Sequence, residues 1–294
     1  MDFFLELFVN GLLTGVLYAL IALGLVLIYK ASSVLNLAVG EMALLASFVV
    51  ALAANFGAPS WLAILAGVVV MVVFGYFVER LAFRPLIGQP VISLIMATVG
   101  IALFLRGIYF ILSNKWPVYL VDLGLPVDSL HLGPVSLLSS SVVGGLVALL
   151  LFGLVGYIYA RTRTGLALRA VSDNQTVALS LGISIDHLWA VVWIGAGLVA
   201  LVSGIVWGQR IGVQFGIAIL GLKGLPVVFL GGLDSMAGAL LAGIFIGVAE
   251  NVVAGYLDPL IGGGTKEFLP FFIMLIALWV RPYGFFGREI IERV

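Results

Sequence analysis

Nine stretches of this sequence stay apolar for most of twenty residues, and nothing else constrains the chain as much. They cover 8–29, 37–55, 61–79, 91–112, 138–160, 188–208, 213–233 and 236–256, with a last one running from Phe268 into "WVRPYGFFG". A helix rises about 1.5 Å per residue, so roughly 20 residues cross about 30 Å of hydrocarbon. Of the 294 residues, 63% are hydrophobic and 10% charged. Soluble domains carry about 25% charged residues. A soluble fold cannot hide this much apolar side chain, so lipid is the expected solvent. The fold class that follows is an all-α, polytopic membrane helical bundle of about nine spans, eight being the other count. A single transmembrane domain fills 1–294. The run 213–233 holds Lys223, Pro226 and several glycines. It reads as either a full span or a re-entrant helix, which needs protein around its exposed backbone.

Charge gives the orientation. Lys30, Arg80, Arg84, Arg161, Arg163, Arg169, Arg281, Arg288 and Arg293 fall in alternate connections if there are nine crossings. Positive residues near span ends stay cytoplasmic. Asp2, Glu6, Asp122, Asp128 and Asp258 lie in the opposite connections. The expected N-terminus is therefore outside and the C-terminus inside. Residues 113–137, with three prolines, become an extracytoplasmic loop. Residues 161–187 become the longest cytoplasmic connection. The acidic start "MDFFLELFVNG" lacks the positive flank of a secretory signal, so the first run reads as a retained span.

Within 161–187, Ser172 and Gln175 match the S-x-x-Q capping pattern, Asp173 suits a helix start, and Asn174 lies between them. Val177, Ala178 and Leu181 share a face, and Gly182 sits where a stop glycine belongs. This predicts a two-turn helix over 172–182, too short to stand alone in water. It rests on its own membrane domain or fits a groove on a cytoplasmic partner. Glu79, Arg80 and Arg84 follow a span, with Pro85 ending the helix, and read as a cytoplasmic anchor. Asn36, Glu41, Lys223 and Glu250 are candidate pathway or structural polar groups, since ionisable side chains in a span face a partner or a cavity. Glu41 and Lys30 flank one connection and could pair there. Arg106, near an outer end, could snorkel. The 37 glycines, often in small-xxx-small spacing, fit close helix packing. An internal echo links 34–47 with 231–243, as an inverted repeat or by chance.

The absences narrow the function. The chain has no cysteine and two histidines, both outside the apolar runs. No metal site, phosphate loop or H-E-x-x-H motif is present, and no nucleophile has a base beside it. No enzyme activity is expected. The formal net charge is zero, which predicts no nucleic-acid partner.

Five segments together resemble the H-type permease subunit of branched-chain amino acid (Liv-type) ABC importers. They are "LNLAVGE" (35–41), "ERLAFRP" (79–85), "RTGLALRAVSDNQTVALSLGI" (163–183), "GLKGLPVVFLGGLDSMAGAL" (221–240) and "RPYGFFGR" (281–288). The resemblance implies a type II importer fold in a bacterial or archaeal cytoplasmic (inner) membrane. It implies a second permease subunit, two cytoplasmic ABC ATPases that hold ATP and Mg, and an extracytoplasmic substrate-binding protein. This chain itself binds no cofactor. Arg169, Ser172, Asp173, Asn174, Gln175, Val177, Ala178, Leu181 and Gly182 match the ATPase-coupling segment. The solute implied first is a branched-chain amino acid; urea, amides and small carboxylates are known among relatives. Leu37 and Val39 depart from the family's "NFAHGE", which bears on solute choice. The rival reading is an ion-coupled secondary transporter using Glu41, Glu250 or Lys223.

Overall fold

A computed structural model describes residues 2–118, 120–121, 129–132, 135–173 and 175–287. Each expected apolar run is a helix. In order these are α1 (Asp2–Ser32), α2 (Val39–Asn55), α3 (Ser60–Val78), α4 (Val91–Lys115) and α5 (Ser139–Arg161). Two short polar helices follow, α6 (Arg163–Asp173) and α7 (Gln175–Ser180). Then come α8 (Ile185–Ile211), α9 (Gly216–Gly231), α10 (Met236–Ile261) and α11 (Thr265–Val280). Six of these, α1, α3, α4, α5, α8 and α10, are long and apolar enough to cross a membrane. The doubtful run 213–233 is one helix of 16 residues with Pro226 inside it. At about 24 Å it falls short of the hydrocarbon thickness.

Sequence did not foresee the hairpin of β1 (Ser129–Leu132) and β2 (Val135–Leu138), paired antiparallel. It sits over the start of α1, where Asn10 Nδ2 donates to Ser136 O at 3.3 Å and Ser136 Oγ lies 3.3 Å from Glu6 Oε1. At the other end of α1, Lys30 Nζ donates to Asp234 O at 2.6 Å and stands 4.2 Å above the Tyr159 ring. The C-terminal segment packs at that same end, with Phe285 N donating to Leu230 O at 2.9 Å. The two ends of the described chain thus lie at opposite ends of the bundle, which takes an odd number of traverses. Glu41, which could have paired with Lys30, lies well inside the bundle and meets Arg106 instead. Asp122, Asp128, Arg288 and Arg293 lie outside the described residues.

Helix α1 is almost wholly buried, whereas α3, α4 and α5 keep most of their surface outward. Lipid tails offer helices no hydrophobic drive to associate, so close contact must come from small residues. Gly11 and Gly15 of α1 meet the α10 backbone at Gly247 and Gly243, while Gly67 and Gly75 of α3 meet α8.

The pairing of helices repeats itself. α1 packs on α10 as α8 packs on α3, α2 on α8 as α9 on α1, and α2 on α4 as α9 on α11. α2 and α9 meet each other at Gly40 and Gly221, where a Cβ on either would strike the other's backbone. Exchanging α1–α4 with α8–α11 preserves this scheme. Thr14 lies beside Arg210, Tyr18 on Trp207 and Gly24 near Ala196, so α1 and α8 run antiparallel and the two halves are inverted. The sequence echo therefore does not mark this repeat. It aligned the start of α2 with the start of α10, whereas the packing equates α2 with α9.

Candidate functional site

The polar connection 161–187 folds as two helices rather than one. Gly165, Leu168 and Val171 form a buried stripe at helical spacing, and α6 runs through Ser172 and Asp173. The expected start at Ser172 is thereby displaced, since a residue inside the last turn of one helix cannot cap the next. Asn174 and the side chain of Gln175 lie outside the described residues. The stop is where glycine places it. Gly182 has φ +80°, and Ile183 N donates to Ala178 O at 3.1 Å.

On α7 and the turn that ends it, the three candidate contact residues separate. Ala178 is 1% exposed and packs inward, while Val177 and Leu181 are 52% and 74% exposed. Leu179, which sequence reasoning passed over, projects with them. Arg169 is engaged within the chain. Its guanidinium donates to Tyr159 O and lies 5.5 Å from that ring, tying α6 to the end of α5.

Beside this connection stands the end of α3. Residues Glu79–Phe83 form a π-helical turn and Arg84–Leu86 a 3-10 turn, so Pro85 narrows the helix before ending it. Glu79 is fully buried and meets Arg84 at 3.3 Å; Arg84 also reaches Asp186 at 3.5 Å. Asp186 lies in the first turn of α8, directly after the connection. Phe83 stacks on Trp193 at 4.3 Å between ring centres. Arg80 takes no part in this. It donates to Tyr76 Oη at 2.6 Å on the exposed side.

Glu41, Arg106, Lys223 and Glu250 form two pairs. Lys223 Nζ donates to Glu250 Oε1 at 3.0 Å, to Tyr18 Oη at 3.2 Å and to Lys266 O at 3.0 Å. Tyr18 donates to the same Glu250 oxygen at 2.9 Å. This uses every Lys223 donor and links α1, α9, α10 and α11. The second pair is Glu41 with Arg106, at 2.5 Å. Arg106 therefore does not snorkel. Its guanidinium also lies 4.7 Å from the Phe215 ring. Nothing in the spacing of Tyr18 or Phe215 announced these partnerships.

Asn36 is a local support. The non-helical segment 33–38 enters the bundle before α2 begins, and its backbone needs partners there. Asn36 Oδ1 accepts from Ala38 N at 3.1 Å, and Leu37 N donates to Thr98 Oγ1 at 3.4 Å. α2 thus starts inside the protein, and it touches the other short helix, α9, at Gly40–Gly221. Broken helices at equivalent places in two halves are how transporters build a central site. Among the described residues no group of His, Asp or Glu is placed to hold a metal ion.

Residues 7–278 match the family model described as branched-chain amino acid transport system / permease component. The chain is 30% identical to the high-affinity branched-chain amino acid transport system permease protein BraD of Pseudomonas aeruginosa, covering 99% of this chain and 98% of that one. It is 31% identical to the probable branched-chain amino acid transport permease protein LivH of Methanocaldococcus jannaschii, over 93% and 89%. Among solved structures, PsaBC from Streptococcus pneumoniae in complex with Fab shares the fold. Its TM-score is 0.51 at 14% identity, over 93% of this chain and 91% of that one.

Proposed function

Since the chain belongs to the family of branched-chain amino acid transport system permease components, we propose that it is the membrane-spanning subunit of an ABC importer that carries branched-chain amino acids into the cell. The single observation that carries this is a family match spanning 7–278, in a multi-pass helical bundle. In this reading ATP and Mg sit on two partner ATPases, a second permease completes the path, and a binding protein delivers solute from outside. The N-terminus and hairpin face outward; α6, α7 and the C-terminal segment face the cytoplasm.

The chain's own part is mechanical. Val177 and Leu179 on α7, with Leu181 just past its end, project as an apolar knob, which an ATPase groove would cover. Ala178 and the Gly182 stop hold that knob against the bundle. Arg84 joins the loop's exit at Asp186 to the buried Glu79, so movement of α7 is passed to α3 and α8. These two helices move as a pair because glycines bring their backbones together. Alternation between two packings then needs only differential contacts, with no covalent chemistry in this chain. Lys223 spends its donors on Glu250, Tyr18 and the Lys266 carbonyl, so the pair acts as a link between four helices, which disfavours a secondary transporter that uses it as an ion site.

The test is ATP-dependent uptake of radiolabelled leucine by proteoliposomes holding this chain with its partner subunits. Uptake that needs ATP and the ATPases supports the importer. Uptake driven by an ion gradient without ATPases would overturn it.

A further inference from the structure

Arg106 poses a problem of solvation. It lies near the middle of α4, a 25-residue helix, yet its side chain is 38% exposed. Exposed charge at that depth is costly against hydrocarbon and normally faces a cavity or a polar route. Glu41 holds one guanidinium nitrogen and is itself only 6% exposed. Arg106 Nε is buried without a hydrogen-bond partner among the described residues. The group is therefore fixed by one carboxylate and keeps donors to spare. Beside it is an apolar wall. Phe215 lies under the guanidinium, Phe110 is 5.9 Å from Phe215, and Phe110 and Ile219 are both about half exposed. Glu41 and Phe215 stand at the starts of α2 and α9, the two short helices that meet inside the bundle.

We propose that Arg106, held by Glu41, faces the water-filled route of the solute and receives its carboxylate, with the solute's aliphatic part against Phe110, Phe215 and Ile219. A free carboxylate on a branched aliphatic chain matches this pairing of a fixed guanidinium with an apolar wall. The inference rests on the importer reading and adds the contact that the solute makes inside the membrane.

The chain has no cysteine, so a single introduced thiol reports its own surroundings. Ile219→Cys and, as a lipid-side control on α5, Leu150→Cys are made in the assembled membrane complex without ATP. Both are treated with the membrane-impermeant reagent MTSES, which attacks thiolates, and thiols ionise poorly in apolar surroundings. Ile219→Cys should react at least tenfold faster than Leu150→Cys. Millimolar L-leucine should slow that reaction, and isoamylamine, the same skeleton without the carboxylate, should not. Adding Arg106→Gln with Glu41→Gln, which leaves no unpaired buried carboxylate, should abolish the protection; Arg106→Lys should keep part of it. Equal rates at the two positions, or equal protection by isoamylamine, would overturn the proposal. So would loss of the second permease on Arg106→Gln, which would make this face a subunit contact. Wild-type complex that labels as expected but shows no ATP-dependent uptake would count against the importer reading and leave this one standing.

Discussion

Glu79 Oε1 lies 3.3 Å from Arg84 Nε, and Glu79 has no exposed surface. Its second oxygen has no partner among the described residues. The half-exposed Arg84 is thus the cation that makes a buried carboxylate tolerable, and it shares itself with Asp186 on the next helix. Breaking a fully buried pair by removing one partner costs about 3–5 kcal/mol, and an exposed pair is worth about 0–1. Arg84→Ala should fall between, at about 2 kcal/mol. It should lower the thermal midpoint of the detergent-purified protein. Glu79→Gln in the same chain should recover much of the loss. A midpoint unchanged by Arg84→Ala would show that the pair carries no load.

The same logic applies to the Lys223–Glu250 pair. Glu250 is 2% exposed and accepts from both Lys223 and Tyr18. Lys223→Met alone should destabilise the protein by about 3 kcal/mol, and Lys223→Met with Glu250→Leu by clearly less. A double-mutant cycle on thermal midpoints checks this. Purely additive losses would mean that the two charges do not depend on each other.

Where α2 crosses α9, Gly40 and Gly221 leave no space for a Cβ. Gly221→Val should cost more than about 3 kcal/mol, because backbone on both sides must move. The expected result is little monodisperse protein by size-exclusion chromatography. Gly153→Val, at a position with open space, should behave like the parent. Normal recovery of Gly221→Val would contradict the crossing.

Much of this was legible in the sequence, and the reasons are physical. Apolar runs fix helices because backbone groups in hydrocarbon must be satisfied within their own segment, so all nine runs became helices, six of them long enough to span. Gly182 was readable because only glycine takes its positive φ cheaply. The boundary at Ser172 was not, because a capping pattern holds only where the preceding chain is non-helical. There the Gly165, Leu168 and Val171 stripe kept α6 going. Partners of the buried charges were illegible for a different reason. Glu41 meets Arg106 across 65 residues and Tyr18 meets Glu250 across 232, and no local spacing encodes such contacts. The inverted repeat was hidden as well, since it lives in which helices touch rather than in shared residues.

The proposed coupling of ATP hydrolysis to this chain runs through α7 and its exposed Val177 and Leu181. Val177→Glu with Leu181→Glu alters only exposed side chains, so the permease should fold and insert as before. Leucine uptake and ATPase activity are then measured together in proteoliposomes of the complete importer. ATP-dependent uptake should fall at least tenfold, with the ATPases either lost from the complex or hydrolysing ATP without transport. Parental uptake at parental ATP cost in that double variant would contradict it.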